Sequence, residues 1–187
     1  MSCTSPTPAY RRSWNITPGW LTFAAPYLDI FGAEAATFAD ADFIRAIAYH
    51  RPCTDLPYTP RPAWEFQRRF LHGVFAGAGH DPAAMKRAAP LLRQLDQAGW
   101  EPLTRAVVAP ATCRVERFGS GERLFLVVHN PAAERVTAKL QVDLAGLGWT
   151  DCALTNATGQ QALSVHAGAT ELPLDGRGTV VLAATRR

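Results

Sequence analysis

The hydrophobic pattern of this chain changes near residue 103, and this change restricts the fold more than any other feature of the sequence. Val136, Ala138, Leu140 and Val142 alternate with polar residues, which is the period of a half-buried antiparallel strand. Further strand-like runs, separated by turn signals, lie at 103–108, 114–118, 124–129, 151–155, 162–166, 170–174 and 179–184. Together they predict an antiparallel β-sandwich over residues 103–187.

Before residue 103, apolar strands alternate with helical patterns. The run Tyr27–Phe31 is almost entirely apolar, which predicts a strand buried on both faces, and Gly32 is expected to turn the chain after it. Asp40 is a suitable N-cap for a helix of about ten residues. A second short strand with its loop is expected over residues 54–58. This order of strand, loop and helix predicts β/α units.

Two more helices are expected before the pattern changes. The first covers residues 62–75, and the second starts with Asp81 as N-cap and ends at Gly99. Pro90 lies inside the second helix and predicts a kink or a restart there. The expected core face of this helix consists of Met85, Ala88, Leu92 and Leu95.

Chain length limits how these parts can be combined. An α/β barrel needs about 250 residues, so a chain of 187 residues can contain only part of one. The predicted fold class is therefore an α+β chain in two parts. A partial β/α segment of the TIM-barrel type occupies residues 13–102, an antiparallel β-sandwich occupies residues 103–187, and residues 1–12 form a flexible N-terminal segment.

Composition excludes several classes of function. The chain is 48% hydrophobic and 19% charged, which is typical of a globular protein. Its net charge of +3 is spread without a block of five like charges, and no run reaches the length of a membrane span, so neither nucleic acid nor membrane is expected as a partner. The four cysteines lack the spacing of metal ligands, so they are expected to be buried or half-buried thiols, and no metal or cofactor is predicted.

Asp29 and Glu34 are the candidate catalytic residues. A carboxylate within an apolar strand is costly to bury unless it has a partner or a use. Both residues lie near the predicted end of the first strand, where α/β proteins collect their binding groups. The alternative is structural: Asp29 would accept hydrogen bonds from a loop or pair with an arginine, and Glu34 would be a loop or helix-start charge.

Two carboxylates of this kind could perform glycoside hydrolysis, in which one protonates the leaving oxygen and the other acts as nucleophile or base. Five residues of straight strand span about 16 Å and point the two side chains to opposite faces. If one of the pair is catalytic, its partner is therefore expected on another strand. Aromatic side chains nearby could stack on sugar rings, and the substrate-contact candidates are Trp14, Tyr27, Tyr58 and Trp64.

Three stretches of the sequence resemble a known class of protein when they are taken together. They are Ser13-Trp-Asn-Ile with Tyr27-Leu-Asp-Ile-Phe-Gly-Ala-Glu34, then Phe43-Ile-Arg-Ala-Ile-Ala-Tyr-His-Arg-Pro52, and Ala98-Gly-Trp-Glu-Pro-Leu-Thr104 followed by Val115-Glu-Arg-Phe-Gly119 and Val127-Val-His-Asn130. They resemble the C-terminal part of large bacterial proteins similar to glycoside hydrolases. In those proteins a TIM barrel is followed by an antiparallel β-sandwich.

The resemblance implies a C-terminal fragment of a glycoside-hydrolase-like protein, incomplete as a catalyst by itself. Asp29 and Glu34 match the acidic positions of the family's Asp-x-x-Gly-x-Glu strand end. The upstream β/α units would come from an upstream barrel region or from a partner chain. Two alternatives stay open, a non-catalytic carbohydrate-binding or structural sandwich module, and a subunit whose exposed sheet edge binds another protein.

Overall fold

The computed structural model describes residues 31–33, 53–55, 62–75, 79–158 and 160–187. The first half of this part contains two short strands, two helices and a third strand: β1 (Phe31–Ala33), β2 (Cys53–Asp55), α1 (Ala63–Leu71), α2 (Pro82–Ala98) and β3 (Trp100–Glu101). The rest is built from β4 (Ala106–Ala109), β5 (Arg114–Phe118), β6 (Arg123–His129), β7 (Val136–Val142), the single helical turn α3 (Leu144–Leu147), β8 (Cys152–Asn156), β9 (Gln161–Leu163), β10 (Ala169–Leu174) and β11 (Thr179–Arg186).

Two antiparallel sheets pack face to face and confirm the predicted sandwich. The larger sheet has the order β3-β5-β6-β11-β8-β9, and the smaller has the order β10-β7-β4. Their shared core includes Leu126 of β6, Leu140 of β7, Leu154 of β8 and Leu182 of β11. A short loop that contains Gly119 and Gly121 joins β5 to β6, and Phe118 pairs with Phe125 beside it.

The larger sheet is covered on both faces, which the alternating pattern of β7 did not predict. Along β6, Leu124, Leu126 and Val128 belong to the sandwich core, while Phe125 and Val127 pack in a second core with the helices. A continuous apolar strand is typical of a sheet buried on both sides. The described chain therefore forms three layers, in the order helices, larger sheet and smaller sheet.

Helix α2 begins and ends where the sequence predicts. The Asp81 carboxylate accepts hydrogen bonds from Ala83 N (3.0 Å) and Ala84 N (3.3 Å), and Gly99 ends the helix with φ 79°. The helix continues through Pro90, so the expectation of a restart there is wrong. Pro90 lies on the exposed side of the helix, where water can hydrate the carbonyl that loses its N–H donor.

The predicted core face of α2 is confirmed, since Ala88, Leu92 and Leu95 are buried and Met85 packs against them. Helix α1 is shorter than expected: it ends at Leu71, and Gly73 then adopts φ 59°. The chain leaves the helix at this glycine, which reaches the left-handed region without strain from a side chain.

A pair of short parallel strands precedes the helices. Phe31 pairs with Cys53, Gly32 with Thr54 and Ala33 with Asp55, and Thr54 also forms a parallel bridge with Phe75. Gly32 lies within β1 and pairs with Thr54, so the expected turn at this glycine is wrong. Residues 27–30 and the helix expected after Asp40 lie outside the described residues.

Strand β3 was not expected from the sequence. Trp100 pairs with Phe118 and Glu101 with Arg117, which makes β3 an edge of the larger sheet. The Trp100 side chain is 7% exposed and lies in the core between helices and sheet, and its Nε1 donates a 2.8 Å hydrogen bond to Glu116 Oε2. Within the described residues, no helix is long and apolar enough to cross a membrane.

Candidate functional site

Most residues predicted for the site lie outside the described part of the chain. These are Trp14, Tyr27, Asp29, Glu34 and Tyr58, so their roles stay predictions. Trp64 is described, in the first turn of α1. Trp64 and the paired backbones of β1 and β2 are therefore the described parts of the candidate site.

The carboxyl ends of β1 and β2 lie side by side. Because Ala33 pairs with Asp55 in parallel register, both strands end at the same edge. Glu34 is the next residue in the sequence after Ala33, and Asp55 is the last residue of β2. Asp55 was not among the sequence candidates, although a carboxylate that ends a second short strand is a signal that could have marked it.

Helix α1 lies between β2 and the bridge at Phe75 in the chain, and Thr54 pairs with Phe75 in parallel.

Trp64 is held by a loop of the sandwich. The guanidinium of Arg177, from the loop between β10 and β11, lies 4.6 Å from the centre of the Trp64 ring. This is a cation–π contact, and Arg is a common cation in such pairs. The Trp64 residue is still 38% exposed, so more than a third of its surface remains open to solvent beside the guanidinium.

A buried polar contact continues this connection from α1 into the sandwich. Thr179 Oγ1 donates a 2.7 Å hydrogen bond to the Gln67 carbonyl of α1. His129 Nδ1 lies 2.9 Å from Thr179 Oγ1 and 3.1 Å from the Gly178 carbonyl. Because that carbonyl can only accept and the Thr179 proton is already donated, Nδ1 carries the proton of the neutral imidazole.

Burial is the main cause that lowers the pKa of His129. The nearby guanidiniums of Arg68 and Arg114 lower it further, while the hydrogen bond to Gly178 acts in the opposite direction. The residue is 5% exposed, so the neutral form is favoured in the folded protein. His129 is thus a neutral hydrogen-bond donor in this arrangement, and its Nδ1 proton ties β6 to the start of β11.

The cysteines of the sandwich are structural thiols, as predicted. Cys113 and Cys152 are free and buried, and burial raises the pKa of both thiols. A thiol with a raised pKa is a poor nucleophile at neutral pH. Within the part of the chain that the structure describes, no group of three or more His, Cys, Asp or Glu side chains is placed to hold a metal ion.

Comparisons with known proteins show a likeness of fold to glycoside hydrolases. A noncanonic maltogenic α-amylase from Thermotoga neapolitana matches with a TM-score of 0.52 and 13% identity, over 89% of this chain and 53% of the amylase. A glycoside hydrolase family 30 subfamily 8 xylanase from Clostridium acetobutylicum matches with a TM-score of 0.49 and 10% identity, over 86% of this chain and 49% of the xylanase.

At this low identity the likeness is one of fold alone. No family profile matches the sequence, and no curated protein matches it. This chain spans about half of the amylase and of the xylanase.

Proposed function

We propose that this chain is the C-terminal part of a glycoside-hydrolase-like protein. In this proposal β1, β2 and the Phe75 segment are the last parallel strands of a barrel, and α1 and α2 are its last helices. The observation that carries the proposal is the parallel register of Phe31 with Cys53, together with the parallel bridge from Thr54 to Phe75. The fold likeness to the maltogenic α-amylase over 89% of this chain supports it.

Catalysis would take place at the carboxyl ends of these strands, where barrel enzymes collect their reactive groups. We assign Asp29 and Glu34 as the candidate catalytic carboxylates. Trp14, Tyr27, Tyr58 and Trp64 are the candidate substrate contacts. Trp64 is supported by its exposed surface. The remaining barrel units would be supplied by an upstream region or by a partner chain, because the two parallel strands and the bridge that the structure describes cannot by themselves close a barrel.

The test is turnover of a panel of aryl glycosides by this chain and by a version extended upstream. We expect activity in the extended version, and we expect Asp29→Asn or Glu34→Gln to reduce it by about 10³-fold or more, because a lost catalytic carboxylate removes acid, base or nucleophilic catalysis. Lack of turnover in both versions would exclude the enzymatic function.

The alternative is a non-catalytic module that binds carbohydrate or packs on a barrel. It is favoured by the self-contained core between the two antiparallel sheets. This alternative predicts that glycan binding survives both Asp29→Asn and Glu34→Gln. Pull-down on immobilised polysaccharides with the same variants distinguishes it from the enzyme, since the module needs neither carboxylate.

A further inference from the structure

We infer that Trp64 and Arg177 together form a binding site for an anionic saccharide. The inference rests on the proposed carbohydrate function. It adds Arg177, a residue of the sandwich, to the site, and it specifies that the saccharide carries a negative charge. Four observations on the described residues carry it, and they concern the paired surfaces of Trp64 and Arg177, the backbone of Arg177, the neighbouring charges, and the hydrogen bond that joins the two layers nearby.

The first observation is that the two groups offer complementary surfaces at one place. Trp64 keeps more than a third of its surface open although the Arg177 guanidinium lies 4.6 Å from its ring centre. An open indole surface can contact the apolar face of a sugar ring. A guanidinium presents a planar set of N–H donors that matches a carboxylate or a sulfate. We therefore expect a saccharide that carries such a group to contact Trp64 and Arg177 together.

The second observation is that the loop fixes the position of Arg177. Its backbone adopts φ 55°, which is uncommon for a residue with a side chain. The conformation is held by hydrogen bonds from Arg177 N to the Ala132 carbonyl (2.7 Å) and from Gly178 N to the Asp175 carbonyl (3.0 Å). Gly176 and Gly178 flank Arg177, so the positive φ falls on the residue of this stretch that carries a side chain.

The third observation concerns the charges around the guanidinium. Asp175 is the nearest acidic residue in the sequence, and its carboxylate lies 3.6 Å from Arg135 Nε in an ion pair. Among the residues that the structure describes, no carboxylate forms an ion pair with Arg177 within 4.0 Å. The guanidinium is exposed as well. The Arg177 guanidinium therefore lies against the indole of Trp64, and none of these carboxylates neutralises its charge.

The fourth observation is that the site is anchored to both layers. Thr179 lies two residues after Arg177 in the sequence. Its hydrogen bond to the Gln67 carbonyl holds the start of β11 against α1. Trp64 and Arg177 come from different layers, and this bond joins those layers close to both residues. A ligand would therefore meet a preorganised pair, which lowers the entropic cost of binding.

The experiment is calorimetric titration of the full chain with trigalacturonate and with its methyl ester, at low ionic strength. The two probes share the sugar rings and differ in charge. We expect trigalacturonate to bind about tenfold more tightly than its methyl ester, because only its carboxylates can form a charge-assisted hydrogen bond with the guanidinium. Trigalacturonate is called the acid below. The preference should decrease with added salt.

Substitutions identify the residues responsible. Arg177→Gln should abolish the preference for the acid, Arg177→Lys should keep part of it, and Trp64→Ala should weaken binding of both probes. Arg93→Gln removes an exposed arginine of α2 and is the matched control, with unchanged binding expected. Thermal unfolding of each variant shows that the fold is retained.

Each other outcome has a defined meaning. Equal binding of acid and ester, or a preference that survives Arg177→Gln, would overturn the inference and leave the proposed function standing. Binding of the acid that is insensitive to Trp64→Ala would show attraction of an anion only and would also overturn it. Failure of both probes to bind overturns it as well. Selective binding without glycoside turnover in the upstream-extended protein would contradict the proposed enzyme but not this site.

Discussion

His129 shows how one residue can make the stability of this protein depend on pH. Its Nδ1 proton is committed to Gly178 and Thr179, and burial lowers its pKa below the usual value. Protonation of the folded protein would place a charge on the imidazole between Arg68 and Arg114. The unfolded chain has no such restriction and takes up the proton near pH 6.5.

We therefore predict that the free energy of unfolding decreases as the pH falls below about 7. The decrease starts near the unfolded pKa of about 6.5, where the unfolded chain binds more protons, and ends below the lowered folded pKa. Urea unfolding between pH 7.5 and pH 5 measures it. His129→Gln should flatten the profile in this range, whereas His166→Gln, which removes an exposed imidazole, should leave it unchanged. A profile unaffected by His129→Gln would contradict the role of this residue.

At the scale of a single element, helix α2 contains a proline in an unfavourable place. Pro90 cannot donate the hydrogen bond that residue 90 would make to the carbonyl of Lys86, yet the helix continues through it. We predict that Pro90→Ala raises the free energy of unfolding by about 1–3 kcal/mol, because it restores a donor and removes a steric conflict.

Pro82 provides the matched control for this change. It occupies the first position of the same helix, where a missing N–H is not required, so Pro82→Ala should change stability by less than about 0.5 kcal/mol. Denaturant titration of both variants makes the comparison. Equal effects of the two substitutions would show that position within the helix does not determine the cost of proline here.

At the scale of the whole molecule, the helices protect one face of the larger sheet. Phe118, Phe125, Val127 and Val181 pack there against α1 and α2. Each such side chain contributes about 1.5–3 kcal/mol when it is fully buried. A piece consisting of residues 103–187 would keep the sandwich core but would expose these four side chains to water.

We predict that residues 103–187, expressed alone, bind a hydrophobic dye and associate on gel filtration. The matched control is residues 62–187, which retain both helices and β3, and which should remain monomeric with weak dye binding. Exposed apolar patches of this kind promote association. A monomeric 103–187 fragment with the same unfolding midpoint as 62–187 would show that the helices contribute little to the stability of the sandwich.

Local sequence signals were sufficient for many elements of the fold. The alternation of Val136–Val142 specifies which side chains of β7 enter the core, because side chains of a strand alternate between its faces. Asp81, Pro82 and Gly99 mark the ends of α2, because capping depends on residues within one turn. These interactions span a few residues, so they can be predicted without knowing what lies opposite.

Tertiary contacts decided the features that the sequence left open. β3 exists because Trp100 and Glu101 meet β5, and the burial of Phe125 and Val127 depends on helices far away in the sequence. The catalytic assignment of Asp29 and Glu34 stays a prediction from the sequence.

The pairing of Trp64 with Arg177 joins residues more than a hundred positions apart, which no local pattern indicates. Sequence by itself determined the strands, helices and caps, since these follow from short-range periodicity. Only the folded chain could bring an indole of the helix layer under a guanidinium of the sandwich, because that contact depends on the packing of two layers.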